Sequence, residues 1–291
     1  MRLQLIANPV AGRNATALIH QARQRLLDSG HDVELFLTRG RGDAEQYAAL
    51  ASSGGFDRII AAGGDGTVNE VVNGMAADSP PLAIIPLGTT NVLALEIGLP
   101  RRFEDVCDLA VHGTPTLIHL GLADQRRFAL MAGVGFDAAV VRGVDLRLKK
   151  ALGKGAYLVS TCRCWLRPAN RPVRVVDDQG QSHHGYGAII SNARCYGGRF
   201  TMTPEASLFA DSLEVCLILR PGRLALLRAG LALLTGRPLP PPWGRHFQSR
   251  RLEVDGSGVP VQIDGDDAGF LPRVFAMNPF AIRLMLPNER R

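Results

Sequence analysis

Lysine is almost missing from this chain: only Lys149, Lys150 and Lys154 occur, and the rest of the 33 basic residues are arginine. Cysteine is scarce as well, five residues without a zinc-type CxxC pair, so reduced thiols of a cytoplasmic protein are expected rather than a disulfide framework. Cys162 and Cys164 stand two apart in an apparently helical segment, point in different directions and read as packing residues. Aromatic residues make up 6%, and Trp165 and Trp243 lie far apart, so no stacking platform for nucleic acid is present. No run approaches the roughly 18 apolar residues of a membrane span. The opening stretch Met1 to Pro9 alternates like a strand and is too short for a signal peptide. A soluble or peripheral protein is expected.

What is there points to phosphate. The 291 residues suffice for two domains, and a hydrophobic content of 46% supplies their cores. The net charge of +6 favours anionic partners such as acidic membrane surfaces or nucleotides. The most informative stretch is Ile59-Ile60-Ala61-Ala62-Gly63-Gly64-Asp65-Gly66-Thr67-Val68-Asn69-Glu70, a buried-type strand that breaks at glycines and continues with apolar residues at helical spacing. Glycines let backbone approach a ligand closely, and the free N–H groups opening the next helix would face an anion. Asp65 is out of place beside phosphates unless a cation such as Mg²⁺ intervenes. On these residues alone, a structural turn whose glycines serve only packing stays open. A P-loop is excluded because no Gly-Lys-Ser/Thr follows, and Asn69 occupies the third-glycine position of a dinucleotide fingerprint.

Strands are expected at Leu3 to Ala7, Asp32 to Leu37, Ile59 to Ala62 and Leu82 to Ile85, with helices at Ala15 to Ser29, Ala44 to Ser52 and Val68 to about Ala77. This alternation implies an open, mostly parallel α/β sheet, with ligands beyond the carboxyl ends of its strands. After about Thr114 the rhythm changes to short β-like segments near 116–121, 127–132, 173–177, 185–191, 213–219, 250–254, 260–264 and 281–286. These suggest an antiparallel sandwich, interrupted by helical stretches over Asp137 to Arg167 and Gly222 to Thr235. The expected domains are 1–118 and 119–291. His183 and His184 read as solvated residues of a polar turn.

Six elements in order carry a family resemblance. They are Asn8-Pro9-Val10-Ala11-Gly12, the glycine loop, Pro86-Leu87-Gly88-Thr89-Thr90-Asn91, Gly133-Val134-Gly135-Phe136-Asp137-Ala138, Asn192 to Gly198 followed by Pro204-Glu205-Ala206 and Asp211-Ser212-Leu213, and Val261 to Asp266. Together they resemble the bacterial diacylglycerol kinase-like lipid kinases, whose first domain is similar to NAD kinases and phosphofructokinases. The resemblance implies an enzyme transferring the γ-phosphate of ATP, with Mg²⁺, to a hydroxyl of diacylglycerol or a related lipid. Asn8, Pro9, Val10, Ala11, Gly12, Thr38, Gly63, Gly64, Asp65, Gly66, Thr67, Val68, Asn69, Glu70, Gly88 and Thr89 would hold ATP between the domains. Asp211, with the carbonyls of Leu208 and Leu213, would bind a shaping Mg²⁺. Asp264 and Asp266 would include the general base.

Chemistry agrees with part of this. Two carboxylates flanking one glycine share a face on an extended segment, and their repulsion would raise one pKa, which suits a base. An acidic hairpin turn is the plainer alternative. Val92 stands where many bacterial relatives have Asp, and Asp266 replaces a frequent Glu. Arg142 to Arg174 holds nine basic residues against the single acid Asp145, and Arg223 to Leu234 is an apolar helix flanked by arginines. The pair would suit a lipid substrate taken from an anionic membrane surface, at the inner face of the membrane; a basic solvated face over a core helix is the alternative. A soluble-metabolite kinase of the NAD kinase type and a non-catalytic nucleotide- or lipid-binding regulator remain as rivals. A homodimer stays open.

Overall fold

The computed structural model describes residues 1–51, 53–144, 155–166 and 171–287. The chain forms two compact units: Met1–His119 together with Pro279–Arg291, and Leu120–Asn278.

The first unit contains β1 (Arg2–Ala7), α1 (Ala15–Asp28), β2 (Asp32–Leu37), α2 (Asp43–Ala49), β3 (Arg58–Gly63), α3 (Asp65–Gly74), β4 (Leu82–Pro86), α4 (Val92–Glu96), α5 (Phe103–His112) and β5 (Thr114–Ile118). Its sheet runs β2-β1-β3-β4-β20-β5, where β20 is Ile282–Leu286. β1 pairs in parallel with β2 and β3, and β3 with β4. The chain therefore leaves β1 on one side for β2 and returns on the other for β3. Between β1 and β3 the order reverses, which is where an open α/β sheet leaves a crevice at the carboxyl ends of its strands. β1 and β3 are apolar along nearly their whole length because both sheet faces are covered. On one face lie α1, which buries Ala15, Ile19, Ala22 and Leu26, and α5, which buries Val106, Cys107, Leu109 and Ala110.

The C-terminal strand departs from the sequence expectation. Residues 281–286 alternate like a sandwich strand, yet β20 lies in the first sheet, parallel to β4 through Leu284↔Leu82 and antiparallel to β5 from Ile282↔Ile118 to Leu286↔Thr114. β5 itself, expected in the sandwich rhythm, also belongs to this sheet. Alternation tells that a strand has a buried face; it does not tell which sheet receives it.

The second unit holds two antiparallel six-stranded sheets. One runs β10 (Ser182–Gly185), β9 (Val173–Val176), β16 (Arg251–Asp255), β19 (Arg273–Met277), β6 (Gly121–Ala123), β7 (Arg126–Phe128). The other runs β15 (Gly244–Ser249), β14 (Leu213–Ile218), β11 (Gly187–Ser191), β8 (Met131–Val134), β17 (Pro260–Ile263), β18 (Asp266–Phe270). Alternate residues of both, among them Val175, Leu252, Phe275, Val134, Ile190 and Val215, form one core, as expected of a sandwich. A short hairpin of β12 (Cys195–Tyr196) and β13 (Phe200–Thr201) stands apart. The expected helix over Asp137 to Arg167 is present in part as α6 (Phe136–Arg142) and α7 (Gly155–Leu166); Gly143 and Val144 leave the helix, and 145–154 and 167 lie outside the described residues. α8 is Arg223–Thr235. His183, expected in solvent, is only 4% exposed. It lies 2.8 Å from the Asp177 carboxylate and stacks on Phe247. Its hydrogen bond, followed by amides of Gln179 and Gln181, holds the Asp177 carboxyl below its usual range.

Leu284 is fully buried beside β4. Leu284→Ala is expected to destabilise the first unit by roughly 2–5 kcal/mol through lost burial and a residual cavity, measured by chemical denaturation. An unchanged midpoint would contradict the placement of β20 as an internal strand.

Candidate active site

In the first unit the loops following β1, β3 and β4 meet backbone to backbone. A Cβ on Gly12 would lie 2.2 Å from the carbonyl oxygen of Leu87, and one on Gly88 would lie 2.6 Å from the Cα of Gly64. No L side chain fits either contact, so the glycines are fixed by neighbouring main chain as well as by any ligand. Asn8 ties the β1 and β3 loops together. Its amide N–H donates to Ala62 O at 2.9 Å, its side-chain amide donates to Thr67 Oγ1 at 3.2 Å, and its side-chain oxygen accepts from the Val10 N–H at 3.0 Å. Thr38 joins the same rim because its N–H donates to Ala7 O at 2.9 Å. Pro9, Ala11 and Gly12 are half-buried, and Val10 is open to solvent.

The glycine loop enters α3 with Gly64 extended and Asp65 as the first helical residue. Gly66 faces open space, with no neighbouring side chain or loop within 4 Å of where a Cβ would lie. Thr67, Val68 and Asn69 are buried and Glu70 is half-buried. Asn69 accepts from the Asn73 side chain through its carbonyl at 2.8 Å, which turns it along the helix. The rim thus offers the first amides of α3 and main chain without bulk, a surface that fits phosphate groups.

Asp65, where a cation was expected between carboxylate and phosphates, is half-buried at the start of α3. Its carboxylate faces the amides that open α4, with the Leu93 N–H at 3.4 Å, and burial raises its pKa while the Leu93, Val92 and Asn91 amides lower it. Val92, where an acid was expected from relatives, is buried as the first residue of α4. Asn91 is the residue that sequence reasoning passed over. It sits at φ +50°, accepts from the Gly88 N–H at 3.0 Å and donates to the Gly88 carbonyl at 2.7 Å. The signal was available, since Asn tolerates the left-handed region and bonds its own loop. Thr89 is exposed beside it.

In the second unit, Asp264 and Asp266 part company. Ile263 pairs with Asp266 across a two-residue turn whose residues, Asp264 at φ +48° and Gly265 at φ +87°, are both left-handed, the requirement of a type I′ hairpin. The segment is therefore not extended at this point, and the expectation that the two carboxylates share a face fails. The Asp264 carboxylate accepts the N–H groups of Ala129 at 2.9 Å and of Leu130 and Met131 at 3.0 Å each. Asn192, fully buried, holds the same segment from the other side by donating to the Ala129 carbonyl at 2.9 Å. Gln262 accepts from the Gly265 N–H at 2.7 Å and donates to Asp137 at 2.7 Å. The Tyr196 hydroxyl donates to the other Asp137 oxygen. Desolvation raises the pKa of Asp137, and these two donors oppose it. The Asp264 carboxylate is thus engaged by three amides, while Asp266 is exposed on the same hairpin. Asp267 beside it pairs with Arg142 at 3.1 Å.

The residues of the magnesium set implied by resemblance lie around the start of β14. Leu208 and Leu213 are buried, and Asp211, its side chain 60% exposed, is paired with Arg250, which already neutralises it. Among the described residues no group of three His, Cys, Asp or Glu could hold a metal ion.

The first unit's sheet leaves a main-chain rim that fits phosphate at its reversal point, and the matching family models place the chain among phosphotransferases of the kinase class. Residues 2–123 match the diacylglycerol kinase catalytic domain, and residues 131–286 match the YegS C-terminal NAD kinase beta sandwich-like domain. The chain is 31% identical to a diacylglycerol kinase of Bacillus subtilis, over 99% of this chain and 97% of that one. It is 28% identical to a diacylglycerol kinase of Mycobacterium tuberculosis, over 99% and 96%. A crystal structure of a diacylglycerol kinase from Bacillus anthracis superposes with a TM-score of 0.72 at 21% identity, covering 99% of this chain and 97% of that chain, and shows the shared fold. The chain belongs to the diacylglycerol kinase family of lipid kinases. As a lipid kinase it answers to neither the soluble-metabolite nor the regulator alternative.

Asp264→Ala removes a charged acceptor from three amides and is expected to cost roughly 3 kcal/mol, lowering the second unit's thermal midpoint by about 6–12 °C. Calorimetry checks this, and a shift under a few degrees would return Asp264 to the list of candidate bases.

Proposed function

We propose that this lipid kinase transfers the γ-phosphate of ATP to the free hydroxyl of a diacylglycerol-like lipid. The observation that carries the nucleotide half is the rim of bare main chain around the start of α3, where a Cβ on Gly12 or Gly88 would strike neighbouring main chain. Asn8, Thr38, Gly63 to Glu70 and Thr89 border it. Phosphoryl transfer to an alcohol asks little covalent work of a protein and depends on positioning and charge neutralisation. Mg²⁺ bound with the nucleotide would supply that neutralisation, with the first amides of α3 holding the phosphates. Asp266 accepts the proton of the attacking hydroxyl. Its turn is held by Asp264, Gln262 and the Ala129 to Met131 amides, which keeps a general base at fixed reach.

The hydrocarbon of the acceptor occupies a cavity of about 980 Å³ in the second unit, bordered by Leu219, Leu231, Ala232 and Leu239. Glu214 on its wall shares a sheet row with Ser191 and Met131, and the Met131 carbonyl accepts from the Asp264 N–H. Three strand spacings of about 4.8 Å each separate cavity and hairpin, a span that a long acyl chain covers. The acceptor is met at the inner face of a membrane by a cytoplasmic enzyme. In support, no helix among the described residues is long and apolar enough to cross a membrane.

The deciding experiment incubates the protein with γ-labelled ATP, Mg²⁺ and a total lipid extract and identifies the labelled lipid. Asp266→Asn is expected to lower transfer by about 10²–10⁴ while the dissociation constant of ATP stays within about twofold, because the base is not on the nucleotide rim. Full transfer by this variant would remove Asp266 from the mechanism. Leu231→Trp, at a half-open position on the cavity wall, is expected to raise KM for long-chain diacylglycerol about fivefold or more and to spare a short-chain analogue. Equal effects on both would place the chain elsewhere.

A further inference from the structure

We infer that the outer faces of α7 and α8 form a docking surface for an anionic lipid bilayer. This deepens the proposed function, since it rests on a lipid acceptor and names the surface that meets the membrane holding it.

The argument begins with exposure. On α8, Leu224, Leu227, Leu231 and Leu234 are 54%, 59%, 56% and 68% exposed. Their spacing of three, four and three residues draws one stripe along the helix, while Ala225, Ala229 and Ala232 face inward. The small residues thus lie inside and the large apolar ones outside, the reverse of a helix whose apolar face is spent on its own core. α7 continues the surface. Leu158 and Leu166 are 67% and 55% exposed, and Trp165 is 37% exposed. The two helices touch through Trp165, whose ring N–H donates to the Arg223 carbonyl at 3.3 Å while the Arg223 guanidinium lies over the same ring at 5.7 Å. A contiguous apolar patch of this kind is uncommon on a protein whose surface meets only water.

Charge selects the partner. Neither α7 nor α8 contains an acidic residue. Arg163 and Arg228 lie on the exposed sides of the two helices, and Arg220 and Arg237 stand exposed just beyond the ends of α8. Arg223 and Arg228 flank the leucine stripe, and Arg228 lies over the Trp243 ring at 5.7 Å, its stem along apolar surface and its head outward. Leucines for the acyl boundary, a tryptophan at headgroup level and arginines for anionic phosphates are the components of an interfacial helix pair. A second copy of this chain would bring the same arginines against each other, whereas a phosphate-bearing leaflet answers them. α8 is also the wall of the acyl cavity, through Leu231 and Ala232, so the docked helix is the one a lipid chain must pass.

The test is sedimentation of the full chain with vesicles, without nucleotide. Wild type is expected to bind vesicles containing phosphatidylglycerol at low salt, to bind pure phosphatidylcholine vesicles much less, and to be released by salt. Leu224→Asp with Leu227→Asp is expected to lower partitioning about tenfold or more, with an unchanged thermal midpoint, since both side chains are exposed. Arg228→Gln with Arg237→Gln is expected to lower it about tenfold through charge alone, which keeps the test alive should the aspartates disturb folding. The leucine variant should phosphorylate a short-chain water-soluble diacylglycerol at the wild-type rate and long-chain diacylglycerol in vesicles more slowly. Wild-type partitioning by both variants, equal binding to neutral vesicles, or conversion of a dimer to a monomer in place of lost vesicle binding would each overturn the proposal. Vesicle binding as expected but no transfer to either acceptor would leave the docking surface intact and remove the acceptor reading instead.

Discussion

The first unit depends on main chain touching main chain. Where the β1, β3 and β4 loops converge, Gly88 meets Gly64 so closely that it has no room for a Cβ, and Gly12 lies against the Leu87 carbonyl in the same way. This contact brings three separate strand ends close enough for the start of α3 to look onto a surface made of amides rather than side chains. Asp65 and Asn91 then stabilise the arrangement from behind, one by engaging the opening amides of α4 and the other by closing the Gly88 turn on both its N–H and its carbonyl. Asp65 thus has amide partners within its own unit, while burial still holds its pKa raised.

The second unit solves a different problem with the same economy of parts. On the proposed function a base has to reach its substrate, and the type I′ hairpin separates the two candidate aspartates. Asp264 turns inward and collects three amides; Asp266 starts the return strand and remains outward. Asn192 and Gln262 extend the restraint into the sheet, and Asp137 with Tyr196 anchors Gln262. The elements Gly133 to Ala138, Asn192 to Gly198 and Val261 to Asp266, far apart along the chain, are one hydrogen-bonded assembly.

On the proposed function the amide rim of the first unit meets the phosphates, and the sandwich, with the cavity along α8, meets the insoluble acceptor. Arg250 pairs with Asp211, the residue that the family resemblance assigned to a cation.

The sequence by itself determined the local events. Ile59 to Glu70 had to break from strand to helix at its glycines, the strands before residue 110 had to alternate with helices, and the order of six motifs was enough to indicate a lipid kinase. Those signals depend on propensity and spacing within a few residues, which a linear text carries in full. Partner choice was decided only in three dimensions. β20 alternates identically whether it joins the sandwich or the first sheet, and it chose β4, some two hundred residues upstream. Asp264 and Asp266 look equivalent on paper, and only left-handed backbone at 264 and 265 sends one inward to the Ala129 to Met131 amides. His183 reads as a turn residue until Asp177 and Phe247 close around it. Each of these outcomes turns on a contact between residues distant in sequence, whose free energy is absent from either partner's local pattern and arises when tertiary packing brings the two together.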